Sequence, residues 1–163
     1  MDSLTAADIM ARSEATLSPE AGVYDAMARL LKSRLTGAPV VNEGGQLLGM
    51  LTERDCLKAL VGGALDGLLG GKVADHMTAP AESIRPTASL SDTAYIFLTR
   101  SFRKLPVVDT DRRVIGQVSR RDMLVAIEAG RDNPRLYGVE DLRPAEASNA
   151  GDDSVMRTAR GRH

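Results

Sequence analysis

Apolar and polar positions along the chain follow two periods in alternation, and the alternation occurs twice. Between Val23 and Arg34 the apolar residues Val23, Ala26, Met27, Leu30 and Leu31 recur at steps of three and four, the spacing that gives a helix one apolar face. Two short apolar runs follow, Ala38–Val41 and Leu47–Leu51, split by Asn42-Glu43-Gly44-Gly45. Those four residues accept the positive φ of a tight turn, so the pair predicts a β-hairpin. A second helix is expected from about Glu53 to Val61, and a short extended piece, Ala15-Thr16-Leu17, precedes the first helix. The order is β-α-β-β-α. It returns downstream as a helix carrying Leu90, Ala94, Phe97 and Leu98, a hairpin of Leu105–Val108 and Val114–Val118 turning at Asp109–Arg112, and a helix from Arg120 to Gly130. Ser89, with Asp92 three residues on, forms a capping pair at the start of the first of these helices.

The recurrence is a duplication with a single offset. Pro39-Val40-Val41 reappears 67 residues later as Pro106-Val107-Val108. The same step carries Asp8 and Met10 to Asp75 and Met77, Pro19 to Pro86, Asp25 to Asp92 and Gly49 to Gly116. It also carries Arg54-Asp55-x-Leu57 to Arg121-Asp122-x-Leu124. One ungapped offset over such a span marks an internal repeat, covering residues 5–61 and 72–130. Residues 62–71, bracketed by Gly62-Gly63 and Gly70-Gly71, read as a linker. Residues 131–163 form a C-terminal extension in which Leu136, Tyr137 and Val139 are candidates to dock on the body. The charged stretch after about Asn149 is expected to be disordered. The fold class is α/β (α+β), built from two tandem β-α-β-β-α units.

Composition removes several function classes. Two Phe, three Tyr and no Trp are too few for the stacking platform that single-stranded nucleic acid needs. A net charge of −1 gives no general attraction to DNA or to an anionic membrane. The lone Cys56 excludes an internal disulfide and a zinc–cysteine cluster, and it reads as a small buried hydrophobe. His76 and His163 stand far apart, so no metal-ligand spacing exists. There is no nucleophile–base pair, pair of catalytic carboxylates or complete P-loop, so no catalytic residue, metal or catalytic cofactor is assigned. Met10, Met27, Met50, Met77 and Met123 fall mostly on apolar faces and read as core, while His76 reads as a surface or partly packed residue. No apolar run approaches a membrane span and no signal peptide is evident, so a soluble cytoplasmic protein is expected.

Candidate chemistry sits at two corners. Thr52-Glu53-Arg54-Asp55 and Ser119-Arg120-Arg121-Asp122 lie where a strand ends and a helix begins. Unpaired backbone N–H groups and the positive end of the helix dipole face outward there, which suits an anion. A hydroxyl at the first position can serve a phosphate, and the carboxylate one turn later can hold both hydroxyls of a ribose. Thr/Ser-x-x-Asp is equally an ordinary N-capping box. Both readings stand at this point, and the doubling of the motif after Gly49 and Gly116 favours the ligand.

The wider pattern resembles the tandem cystathionine β-synthase-type (CBS) domain pair, or Bateman module, over roughly residues 5–130. The resemblance rests on Ala-Asp-x-Met at the start of each copy, on Gly37-Ala38-Pro39-Val40-Val41 with Lys104-Leu105-Pro106-Val107-Val108-Asp109, and on Leu48 to Asp55 with Ile115 to Asp122. It implies two CBS repeats packed through their sheets into one pseudo-twofold module with two clefts, and a homodimer. It also implies a regulatory adenosyl ligand: AMP, ADP or ATP, or else NAD or S-adenosylmethionine. Carried over by position, one cleft would hold Thr16, Ala21, Arg103, Lys104, Pro106, Ser119, Arg121 and Asp122. The other would hold Thr36, Gly37, Pro39, Thr52, Arg54, Asp55, Ser83 and Ala88. Asp55 and Asp122 would take ribose, with Thr52 and Ser119 on the phosphate side. Arg103 and Lys104 replace Thr36 and Gly37 between copies, so the Asp122 cleft is expected to prefer phosphorylated nucleotide and the Asp55 cleft to be weaker or to take a less charged ligand. The expected function is a free-standing nucleotide sensor acting on a separate effector protein. The alternative is a scaffold with empty clefts that regulates a separate enzyme or transporter.

Overall fold

In the computed structural model, which describes residues 3–12, 15–64 and 70–137, the duplicated apolar runs become duplicated elements. The first copy contributes α1 (Ala6–Ile9), α2 (Val23–Lys32), β1 (Gly37–Val41), β2 (Leu47–Thr52) and α3 (Glu53–Ala64). The second contributes α4 (Val73–His76), α5 (Leu90–Thr99), β3 (Lys104–Val108), β4 (Val114–Ser119) and α6 (Arg120–Ala129), followed by a 3-10 turn at Pro134–Tyr137. The linker begins later than expected: α3 continues through Gly62 and Gly63 to Ala64.

The sequence offset carries through to strand register. Gly37 pairs with Thr52, Val40 with Gly49 and Val41 with Leu47 across a bulge; 67 residues on, Lys104 pairs with Ser119, Val107 with Gly116 and Val108 with Val114 across the same bulge. The expected leading strand of each copy shrinks to a single parallel bridge, Leu17 to Val40 and Ile84 to Val107. Leu17 N–H donates to Pro39 O and Leu17 O accepts from Val41 N–H, both at 2.9 Å. Pro19 and Pro86 follow two residues after those bridges and, lacking an N–H, cannot extend the ladder.

The opening helices are exchanged between copies. Ala6 and Met10, from the start of copy one, are buried with Ile84, Leu90, Phe97, Leu105, Val107, Val118 and Met123 of copy two. Val73, from the start of copy two, is fully buried with Leu17, Ala26, Leu30, Ala38, Val40 and Leu51 of copy one. Backbone bonds fasten each exchange, Ala6 N–H to Ala88 O and Val73 N–H to Ala21 O, both at 2.8 Å. Neither copy completes its core alone.

Two glycines make this close approach possible. A Cβ on Gly49 would lie 2.7 Å from Thr78 O and 2.9 Å from Met77 Sδ; one on Gly116 would lie 2.6 Å from Met10 Sδ and 2.9 Å from Ala11 O. The Met of each opening segment therefore packs onto the glycine of the opposite hairpin. Bridges Met50–Thr78 and Ala11–Gln117 form beside them, and the bridge Gln46–Arg113 joins the two hairpins. The 67-residue step maps that last pair onto itself, which puts it on the pseudo-twofold axis.

Some apolar residues expected in the core face outward. Leu31 and Leu98 are 78% and 85% exposed, because each follows the last core-facing residue of its helix by one step and is turned about 100° away from it. Met10 and Met123 are buried, whereas Met27, Met50 and Met77 are half-buried. Of the extension, Leu136 O accepts from Leu4 N–H at 2.7 Å and Tyr137 OH donates to Ile127 O at 2.6 Å. Val139 and the stretch after Asn149 lie outside the described residues. No helix among the described residues is long and apolar enough to cross a membrane.

Candidate functional site

The two strand–helix corners form alike. Asp55 Oδ2 accepts from Thr52 N–H at 2.9 Å while Thr52 Oγ1 accepts from Asp55 N–H at 3.3 Å. Asp122 Oδ2 accepts from Ser119 N–H at 2.8 Å while Ser119 Oγ accepts from Asp122 N–H at 3.0 Å. The capping reading is thus realised in both copies, and it fixes each carboxylate at the mouth of its helix.

Around Asp55 the corner opens into a cleft of about 780 Å³. Copy one lines it with Thr36, Gly37, Met50, Thr52, Arg54, Asp55 and Lys58; copy two adds Thr78, Pro80, Glu82, Arg100, Phe102, Arg103 and Lys104. Arg54, Lys58, Arg100, Arg103 and Lys104 outnumber Glu53, Asp55 and Glu82 on its walls, so the cleft has an excess of positive charge suited to a phosphate. Arg103 and Lys104, expected at the Asp122 cleft, line the Asp55 cleft. Lys104 stands opposite Ser119 in the β3–β4 ladder.

Other site residues fall as follows. Pro39 and Pro106 are fully buried inside the sheets, and their carbonyls accept from Leu17 and Ile84. Ala21 and Ala88 are half-buried and receive the exchanged openings through their carbonyls. Ser83 and Ala88 do not line the Asp55 cleft. Arg121 is exposed on the first turn of α6. Among the described residues no hydrogen bond joins Thr16 or Ala21 to the Ser119–Asp122 corner.

Two residues that matter at the corners were not singled out from the sequence. Thr78 Oγ1 donates to Asp55 Oδ1 at 2.9 Å, from the opposite copy. Gln117 is 2% exposed and its Oε1 has no hydrogen-bond partner. Both are visible as departures from the repeat, since the 67-residue step sets Thr78 against Ala11 and Gln117 against Met50. Cys56 is half-buried, and burial, then the Asp55 and Glu53 charges, push its thiol pKa up. His76 is half-buried beside Gly70 O. No group of three His, Cys, Asp or Glu among the described residues is placed to hold a metal.

A model of the CBS domain matches the chain twice, over residues 6–62 and 73–129. The chain belongs to the CBS-domain family. Among curated relatives, an uncharacterised protein of Methanocaldococcus jannaschii is 32% identical over 118 residues, 72% of this chain and 40% of its own length. The CBS domain-containing protein YhcV of Bacillus subtilis is 34% identical over 118 residues, 72% of this chain and 81% of its own length. The chain therefore spans less than half of the first relative and most of the second. Among solved structures, the CBS-pair protein CBSX2 of Arabidopsis thaliana in complex with AMP superposes with a TM-score of 0.71 at 28% identity, covering 78% of this chain and 98% of that one. The fold is that of a tandem CBS pair.

Proposed function

We propose that this CBS pair senses an adenine nucleotide, AMP, ADP or ATP, bound in the clefts between its copies. The observation that carries the reading is the Asp55 corner. There a helix-capping carboxylate, a helix N-terminus and an excess of cations converge on one cleft of about 780 Å³, room enough for a nucleotide. The AMP complex of CBSX2 supports this ligand class. Asp55 and Asp122 take the ribose, the backbone N–H groups of α3 and α6 face the phosphates, and Arg103 and Lys104 neutralise charge. The chain acts as a homodimer through its outer helices, where Leu57, Val61, Leu98, Leu124 and Val125 are exposed and offer apolar side chains for a second copy to cover. Occupancy of the clefts biases that dimer and what it presents to an effector protein.

Thermal unfolding of the chain with AMP, ADP, ATP, NAD and S-adenosylmethionine tests the reading. A ligand at a hundred times its Kd stabilises the folded state by about 2.7 kcal/mol, a Tm rise of roughly 5–10 °C for a chain of this size. No shift with any of the five would replace the sensor with the scaffold.

A further inference from the structure

We propose that Thr78 makes the two clefts unequal by competing with a ribose for the Asp55 carboxylate, so that the Asp122 cleft fills first. The inference rests on the nucleotide reading above and adds an order of filling and the residue that sets it. An ionised carboxylate offers about four acceptor positions. Asp55 uses three of them: Thr52 N–H and Thr52 Oγ1–H on Oδ2, each at 2.9 Å, and Thr78 Oγ1–H on Oδ1, also at 2.9 Å. A ribose diol brings two hydroxyl donors, so bidentate capture at Asp55 requires one existing bond to break. The Thr78 bond is the one that crosses between copies and lies outside the capping box.

Asp122 has no such competitor. The pseudo-twofold puts Ala11 where Thr78 would stand, and a methyl group donates nothing. Among the described residues only Ser119 N–H is received by the Asp122 carboxylate. Thr52 directs its hydroxyl proton to Asp55, whereas the Ser119 hydroxyl has no acceptor among the described residues and is left for a ligand oxygen. Gln117 points the same way. It lies two residues before Ser119 on β4, hence on the same strand face, and it is 2% exposed with Oε1 unpartnered. A buried acceptor without a donor is rare in folded proteins, and a ligand N–H would satisfy it. The copy-one counterpart, Met50, has no such group. Carboxylate, hydroxyl and amide are thus all available at the second corner, whereas at the first the carboxylate is three-quarters engaged, the hydroxyl is engaged and the amide is missing.

Titration calorimetry of the full chain with AMP tests the order. The wild type is expected to give two unequal sites, with Asp122→Ala removing the tighter and Asp55→Ala the weaker. Thr78→Ala should tighten the weaker site by about three- to tenfold, the worth of one released hydrogen bond, and leave the tighter one alone. Thr78→Ser, which keeps the hydroxyl, should behave as wild type, and Ala11→Thr should weaken the tighter site by a similar factor. Thr78 is exposed, so its substitution spares the core. Two equal sites, loss of the tighter site in Asp55→Ala, or no response to Thr78→Ala would overturn the order of filling while leaving nucleotide sensing intact. Failure of both wild type and Thr78→Ala to bind AMP or any other adenosyl compound would instead sink the nucleotide reading, and this inference with it.

Discussion

Replacing Gly49 by alanine should damage the joint between the copies. The new Cβ would lie 2.7 Å from Thr78 O and 2.9 Å from Met77 Sδ. Met77 can swing aside, but the carbonyl belongs to backbone. An ordinary carbon–oxygen contact needs about 3.3 Å, so Thr78 O must withdraw by roughly 0.6 Å. That oxygen accepts Met50 N–H at 2.9 Å, and the withdrawal stretches the bond to where it lapses. Losing it costs about 1 kcal/mol, and the overpacking adds about 1–3 kcal/mol, for a total near 2–4 kcal/mol. Urea unfolding followed by far-ultraviolet circular dichroism measures this directly, since the chain has no Trp to report by fluorescence. Gly62→Ala is the control: its Cβ meets nothing within 4 Å inside α3, and alanine there should stabilise by about 0.5–1 kcal/mol. A loss below about 0.5 kcal/mol in Gly49→Ala would refute the close-approach account of this glycine.

Three other outcomes are expected. Val73→Ala, at a fully buried site inside the opposite copy's core, should cost about 2–3 kcal/mol while unfolding stays a single transition, because neither copy has a core to keep; two separate transitions would contradict the exchange. Arg112 holds φ +63° at the turn position that Gly45 occupies at +81° in copy one, so Arg112→Gly should stabilise by about 0.5–1 kcal/mol by relieving the left-handed conformation, read as an upward shift of Tm. Cys56, its thiol pKa raised first by burial and then by Asp55 and Glu53, stays protonated at neutral pH. Its alkylation by iodoacetamide should be slower than that of a free thiol and accelerate only at pH above the usual thiol range.

Much of this architecture is legible in the sequence because duplication preserves spacing. The 67-residue step foretells not only which elements recur but which residues face each other in each hairpin, down to the bulge at Val41 and Val108. What it conceals is which core an apolar segment enters. Ala6 and Val73 carry the right pattern for burial, yet periodicity is a local property and the exchange is a long-range one. The Asp-x-Met and Gly motifs were visible, but only the structure shows each Met lying over the other copy's glycine. Helix faces mislead at Leu31 and Leu98, where the apolar stripe is wider than the buried surface. At the site, Thr52, Asp55, Ser119 and Asp122 were readable from a doubled motif. Thr78 shows in the sequence only as a departure from the repeat at Ala11, and its contact with Asp55, 23 residues away, needs the fold.

The same joint that builds the fold gives the clefts different mechanical consequences. Thr78 follows Met77, which rests on Gly49, and Met77 N–H in turn bonds Val73 O at the base of α4. On the proposed reading, a nucleotide that takes the Asp55 carboxylate must release the Thr78 hydroxyl, while Met50 and Thr78 stay paired through their backbones. A nucleotide at Asp122 meets Ala11, whose side chain holds nothing there, and leaves the matching segment in place. On the proposed reading, filling the Asp122 cleft adds stability without rearrangement, whereas filling the Asp55 cleft trades an inter-copy bond for a ligand contact. Only the second event exchanges a contact between the copies, and a contact with two arrangements is what a regulatory signal requires. Two copies of one fold can then separate occupancy from response, with the hydroxyl present at Thr78 and missing at Ala11 as one mark of the difference.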